Sequence, residues 1–568
     1  MPRTISELFM DLSSTQELVL RILSFLEREE DQSHVPLAFR SDNSPKFFPR
    51  YATISRDWQY AVERETFSSF TVKSSELDLF SRTFAPAHRR AALGTLTYET
   101  VLPRYDDEAS GRFENAGDKE ANDLAFSEAI HGLFAVLKSW EESLLQTQPQ
   151  TQPRPLKLSF HSVYSPSDIS RRGAEVCDLK RQEFELGKRK FLREHRYEHS
   201  VIRLQRWGEL PTLSRVNDFR AMVHWDRVVE PRSIVRVASK FPSLEVIEWV
   251  LSDDEKKDAK LRQQLRSDFA RSLDFIPQSK LKSFTLEYYN NAPLNHHFIQ
   301  SNAQRSASEL DELSVALNKL SQSPNLGCIF LTGPIAISPD LYQPPPPPTP
   351  TSAWQKLEEF HLTFNICTPS GEWYFERDPN AASNDDDESE KDDVDDGNSE
   401  PDSDSTSTSG EDSSPNSNPS ISTNHSYHPR THDRQTGMYP ISTFRRYPAT
   451  GKILALLQAF ATATAHMPAL RRAGLKAGLP PHLAQFEVLF LRRGEVHSLD
   501  SEVDEGLGIE LVRRRPRLYF QTGRWRADED GEAFDRMLDV FRRLQVVHAT
   551  ARKAHGEADE LLIKFFEW

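Results

Sequence analysis

Hydrophobic and polar positions alternate along this chain in two different periods. Near the start, Leu18, Ile22, Phe25 and Leu26 recur at i, i+4, i+7 and i+8, with Val19 and Leu23 widening the stripe, which predicts an amphipathic helix over Glu17–Leu26. Ser13, Ser14 or Thr15 can cap its first turn. A second helix is predicted over Tyr51–Phe67, where Ile54, Trp58 and Val62 stand four apart. Helices this short gain their stability by packing on each other or on a partner.

Further along, the period falls to two. A leucine followed by apolar residues at +3 and +5 recurs at Leu93-Leu96-Tyr98, Leu244-Ile247-Trp249, Leu281-Phe284-Leu286, Leu326-Ile329-Leu331, Leu357-Phe360-Leu362 and Leu483-Phe486-Val488. The central four begin 37, 45 and 31 residues apart, and the gaps hold helical patterns at Ile234–Phe241, Leu261–Phe275 and Leu310–Leu320. Strand, helix, strand at this spacing predicts parallel strands joined by crossovers, and the L-x-x-L-x-L core is the strand signature of leucine-rich repeats. Uneven spacing and a missing asparagine ladder position predict an irregular solenoid, each unit burying its strand by stacking on its neighbours and leaving a concave surface for another macromolecule. The grammar resumes late in the chain, with helices over Ile453–Met467 and Phe534–Val547, strands over Phe486–Leu491 and Arg517–Gln521, and a closing strand or cap over Leu561–Trp568. Tyr105–Glu120 and Gln146–Pro155 read as surface loops.

Charge divides the chain. The 568 residues carry a formal charge of -15, but Asp385–Asp412 holds fourteen acidic residues against Lys391 alone, leaving the other 540 residues near neutrality at -2. The acidity therefore belongs to one segment, and a uniformly basic, DNA-coating chain is excluded. From Asn380 to Gln435 there are too few apolar side chains to offset the entropy of ordering, which predicts a disordered acidic, serine-rich insertion. Within it Ser383, Ser389, Ser399 and Ser409 each have an acidic residue at +3, and Ser414 precedes Pro415, making these five candidate phosphorylation sites. Pro344–Pro348 predicts a stretch of polyproline II. Four regions follow: a helical domain over 10–70, an irregular α/β domain over 71–379, the insertion over 380–435, and a continuation of the α/β domain over 436–568.

Cys177, Cys328 and Cys367 are three widely spaced cysteines with no C-x-x-C pair, a pattern that speaks against a disulfide framework and for a reducing compartment. The start carries Arg3 and Glu7 and no apolar run of signal-peptide length, and nothing approaches eighteen consecutive apolar residues. The expected location is cytoplasmic, nuclear or both.

Candidate chemistry is sparse. His195-Arg-Tyr-Glu198-His199 matches the inverted zincin pattern H-x-x-E-H, but no third ligand stands nearby, and chance is the simpler reading. The stretch Lys180–Arg206 carries nine Lys/Arg against four Asp/Glu, interleaved with Phe184, Phe191 and Tyr197. No nucleic-acid motif accompanies it, so it reads as a solvated basic loop or helix. G-x-x-x-x-G-K-[ST], G-x-S-x-G and the glycine-rich dinucleotide turn are all missing. The expectation is a protein without enzyme activity, metal, cofactor or nucleic-acid partner.

Glu17, Leu18, Ile22, Leu23 and Leu26, followed by Ile54, Ser55, Arg56 and Trp58, resemble the F-box of filamentous fungal proteins, although Ser14 and Thr15 stand where the family usually has Leu-Pro. Further strings similar to that group are Leu102-Pro103-x-Tyr105, the helix from Phe126 to Trp140, Asp311–Leu317 and Thr368–Phe375. The resemblance implies a small helical F-box before the α/β solenoid. It further implies a non-catalytic substrate receptor that binds the Skp-type adaptor of a cullin-RING ubiquitin ligase through Leu18, Ile22, Leu23, Leu26, Ile54 and Trp58. The protein substrate, which neither the residues nor the resemblance names, would lie on the repeat domain. An F-box scaffold working outside a ligase is the alternative.

Overall fold

Where a leucine precedes apolar residues at +3 and +5, the chain forms strands. The computed structural model describes residues 48–110, 112–147, 154–168, 196–197, 199–223, 227–253, 258–304, 310–344, 354–377, 436–438, 440–445, 447–478, 486–492, 494–501, 517–521 and 562–566. The predicted helix over Glu17–Leu26, the polyproline run after Pro344, the acidic insertion and the predicted helix over Phe534–Val547 lie outside them.

Eight strands run in sequence order across one sheet: β1 (Ser69–Lys73), β2 (Thr95–Val101), β3 (Leu156–Tyr164), β4 (Val216–Met222), β5 (Val246–Ser252), β6 (Ser283–Tyr289), β7 (Cys328–Ile335) and β8 (Glu359–Phe364). All are parallel to their neighbours. Phe375–Glu376 (β9) and Tyr447–Pro448 (β10) form a separate small pair. The main sheet then continues through β11 (Arg472–Ala477), β12 (Glu487–Leu491), β13 (Arg517–Gln521) and β14 (Leu562–Phe566). The protein is thus α/β, with a large, mostly parallel sheet of twelve described strands.

The expectation of parallel strands fails at β12, which is antiparallel to both β11 and β13. The connection from Ala477 to Glu487 is too short for the crossover a parallel partner needs. In the main sheet β1, β3, β4 and β11 are marked by neither the leucine pattern nor any other expected strand. Tyr105–Glu120 is also more than a surface loop. It contains a helical turn at Asp107–Ser110 and the buried Glu114, and it leads into the start of a 32-residue helix.

Helix α1 (Arg56–Thr66) precedes β1, and the connections between strands carry α2 (Leu77–Thr83), α3 (Ala87–Ala92), α4 (Ala116–Thr147), α5 (Pro231–Ala238), α6 (Ala259–Ser272), α7 (Glu312–Ser321) and α8 (Thr450–Ala465). Local chemistry sets their starts. Ser55 Oγ accepts from Trp58 N at 3.3 Å, Asp258 Oδ1 from Leu261 N at 3.0 Å, and Asp311 Oδ2 from Ser314 N at 2.9 Å, while Pro231 occupies the first turn of α5. α5 packs on α6 and α6 on α7, so these crossovers line one face.

Strand burial shows which face. Leu96, Leu158, Phe219, Ile247, Phe284, Ile329, Phe360 and Ala473 are paired in register across the sheet, and all are buried. Two residues further on, Tyr98, Phe160, Ala221, Trp249, Leu286, Leu331, Leu362 and Leu475 form a second buried row. Helices cover these rows: the Tyr98 hydroxyl donates to Ala129 O of α4 at 2.8 Å, and Phe134 of α4 stacks on Phe241. The alternate residues point the other way and are half-exposed from Thr97 across to His361, with Gly474 buried beyond them.

Candidate functional site

Three regions bear chemistry, and the first is the N-terminal helix. Ala61 and Val62 of α1 form a small apolar cluster with Tyr51, Ala52 and Trp58, separate from the main core. Trp58 is partly buried against Tyr51, their ring centroids 5.9 Å apart, whereas Ile54 just before the cap is 59% exposed. Of the six residues predicted to contact an adaptor, these two are placed; Leu18, Ile22, Leu23 and Leu26 lie outside the described residues, as do all five serines. α1 is fastened to α3 by Glu63, which accepts hydrogen bonds from Arg89 Nε and Nη2, both at 2.9 Å. Those bonds hold the Glu63 carboxyl down at about 2.

The second region is the half-exposed sheet face. Its central row runs Thr97, Ser159, Arg220, Glu248, Thr285, Phe330, His361 and Gly474. Arg220 pairs with Glu248 at 2.5 Å and with Asp218 at 3.2 Å. The rings of Phe330 and His361 stack with centroids 5.1 Å apart and planes 2° from parallel. Burial among these strands lowers the His361 pKa, leaving a neutral imidazole to stack. Hydroxyls, paired charges and one aromatic stack thus make up this row.

The third region is the edge where the parallel strands end. Beyond β2 to β4, Glu114 accepts from Arg227 Nη2 at 2.9 Å, from Asn122 at 2.7 Å and from Ser200. The Arg227 guanidinium lies over the Tyr197 ring, 3.7 Å from its centroid, and the Arg196 guanidinium over the Tyr105 ring. Asp168 accepts from both tyrosine hydroxyls. Burial and the Asp168 charge push the Tyr197 phenol well above its ordinary pKa, so it stays protonated and donates. Arg196, read from the sequence as part of a solvated basic stretch, is therefore a buried tie that also pairs with Asp118 at 3.2 Å.

Beyond β5 to β8 lies a second buried network. Arg262 Nε and Nη2 bind Asp253 at 3.1 and 3.0 Å. Arg266 joins Asp253 at 3.3 Å to Asp311 at 3.0 Å and donates to Ala336 O. Asp253 and Asp311 lie 58 positions apart, so sequence separation hid the network. One signal was available: Arg262 and Arg266 sit four apart on the face of α6 that also carries Phe269, with the buried Leu273 just past its end. A charged pair on a buried helical face requires buried partners.

His199 is half-exposed with φ 61°, its ring edge-on to Phe113 at 5.5 Å; His195 and Glu198 lie outside the described residues. Among the described residues, no three His, Cys, Asp or Glu side chains gather as metal ligands, and no helix is long and apolar enough to cross a membrane. In comparisons with protein-family models, curated proteins and solved structures, nothing matches the chain.

Proposed function

We propose that the protein is a non-catalytic F-box substrate receptor. It docks to the Skp-type adaptor of a cullin-RING ubiquitin ligase through α1 and the segment before it, and holds a protein substrate on the half-exposed face of an irregular leucine-rich-repeat-like solenoid. The observation that carries this reading is the apolar cluster of α1, which is detached from the main core and leaves Ile54 59% exposed beside a partly buried Trp58. A helix that buries so little alone gains from packing on another protein. Eight parallel strands in sequence order, with helices crossing on one face, support the repeat reading. The resemblance of Ile54-Ser55-Arg56-x-Trp58 to the later part of an F-box adds to it.

The mechanism is tethering. Holding a substrate beside a ligase-bound ubiquitin conjugate raises its effective concentration and needs no chemistry from this chain. The full-length protein, tagged and purified from cells, should carry both the Skp subunit and the cullin. Recovery of neither sinks the reading, and recovery of the Skp subunit without the cullin replaces the ligase receptor with a scaffold.

A further inference from the structure

The amino ends of β4 to β8 form a rim along which positive charge is left over. Arg236 in the last turn of α5 and Lys240 just beyond it both lie against the Trp207 ring, 5.1 and 5.3 Å from its centroid. Lys280 and Lys356 follow, each one position before the leucine that leads into its strand, Leu281 before β6 and Leu357 before β8. That shared place in the repeat brings them into line. Lys280 Nζ donates to Ser243 Oγ at 3.4 Å, Lys356 Nζ to Asn325 Oδ1 at 2.5 Å, and Asn325 Nδ2 to Ser279 O at 2.6 Å. Both lysines are exposed.

None of these four cations pairs with a carboxylate among the described residues. Lys240 Nζ reaches only Gly208 O, at 3.4 Å, and burial together with the neighbouring Arg232 charge lowers the Arg236 pKa. The acidic residues of the rim are already taken: Glu209 by Arg206 at 3.9 Å, Glu245 by Lys282 at 2.7 Å, Asp274 by Lys319 at 2.8 Å and Glu358 by Arg471 at 3.5 Å. Helix-end dipoles favour cations at Arg236 and Lys240, but Lys280 and Lys356 stand on strand entries, where no helix ends. A line of unmatched positive charge suits an extended anionic occupant.

The chain itself carries one. Asp385–Asp412 has fourteen acidic residues against Lys391 alone. The described residues before it end at Arg377, beside the carboxyl end of β8, where the Phe375 ring stacks 6.5 Å from Phe364. Lys356 precedes Phe364 by eight residues, about 25 Å along a strand. Asp396 follows Glu376 by twenty residues, about 65 Å at full extension, so the acidic run reaches the rim with slack. We propose that Asp385–Asp412 docks along this rim, with its carboxylates on Lys240, Lys280 and Lys356 beside Arg236. Tethering in one chain gives the contact a high effective concentration. It needs neither adaptor nor substrate, so it stands apart from the reading of the chain as a receptor.

Carbodiimide coupling joins a lysine amine to a carboxylate in contact with it, and applies to the full-length chain as it is. Lys282 with Glu245 and Lys319 with Asp274 serve as positive controls, and Lys73 and Lys260, exposed at the opposite edge of the sheet, give the background. At low salt, peptide mapping should find Asp385–Asp412 coupled to Lys240, Lys280 and Lys356 at least about fivefold more often than to Lys73 and Lys260, an excess lost in about 1 M salt. Lys280→Gln with Lys356→Gln should also reduce the coupling left at Lys240, because the segment has lost two of its holds. In a mixture of nitrogen-15-labelled and unlabelled chains, each coupled product should carry a single label. Coupling of the control pairs without coupling of the segment to the rim overturns the proposal. So does equal coupling to rim and background lysines, which would mark chance encounters, and so do mixed-label products, which would give the rim to a second copy of the chain.

Discussion

Arg89 on α3 grips Glu63 on α1 with two nitrogens, each 2.9 Å from a carboxylate oxygen, and His88 Nε2 stands 2.6 Å from the same carboxylate. The Arg89 hydrogen bonds lower the Glu63 pKa from 4.5 to about 2. A carboxyl depressed in the folded state stabilises the fold above its unfolded pKa, and that contribution disappears as pH falls through the folded value. The contact of α1 with α3 is therefore expected to loosen between about pH 4.5 and pH 2. Glu63→Gln should flatten that dependence and lower stability at neutral pH by about 1 kcal/mol, since the pair is near the surface. Hydrogen exchange across α1, followed in both proteins down the acid range, checks it. Identical protection profiles would show that the grip adds nothing.

Much of the sheet was legible because β2 and β5 to β8 put apolar residues at alternate positions behind a leading leucine. β3 and β4 escaped that pattern for local reasons. Pro155 and Val216 stand where the leading leucine would be, three residues before the buried Leu158 and Phe219, so the motif breaks although the core positions still alternate. The helices α5, α6 and α7 were legible from their apolar faces, and so was Trp58 as a helical contact. The polar network was not, because Asp253, Arg266 and Asp311 meet through tertiary packing. Nor was the burial of Arg196, whose neighbours in sequence are charged while its neighbours in space are Tyr105 and Asp118.

Asp311 has two duties, capping α7 and neutralising Arg266. Its Oδ2 accepts from Ser314 N at 2.9 Å and from Ser314 Oγ at 2.6 Å, as well as from Arg266 Nη2 at 3.0 Å. Asp311→Ala leaves a buried guanidinium short of a counter-charge and should cost about 3 to 5 kcal/mol. Asp311→Asn keeps an N-cap acceptor and should recover about 1 kcal/mol of that loss. Denaturant melts of the three proteins give both differences, and equal stability of the two variants would mean that the cap is immaterial.

Gly474 makes room for the aromatic stack on the half-exposed face. A Cβ built there would stand 2.8 Å from His361 Nδ1, closer than side-chain atoms tolerate. Gly474→Ala should force the imidazole off Phe330 and destabilise the fold by about 1 to 3 kcal/mol. Adding His361→Ala should cancel most of that penalty, because the clash has lost its partner. A double-mutant cycle in denaturant measures the coupling. A coupling near zero would mean that the ring swings aside at no cost.

Ile54 and Trp58 are four residues apart in sequence but face different environments, and this separates binding from folding. Ile54 is 59% exposed, so Ile54→Asp should change stability by less than about 0.5 kcal/mol. Under the proposed docking, the same substitution puts a charge into an apolar contact and should reduce capture of the Skp-type adaptor at least tenfold. Trp58 packs on Tyr51 beside the buried Ala61 and Val62, so Trp58→Ala should unsettle α1 itself, by about 2 kcal/mol, below the cost of emptying a fully buried site. Circular dichroism melts and adaptor pull-down on the same preparations read the two effects independently. A folded Ile54→Asp protein that captures the adaptor as well as the parent chain would remove α1 from the docking surface, whatever happens at Trp58.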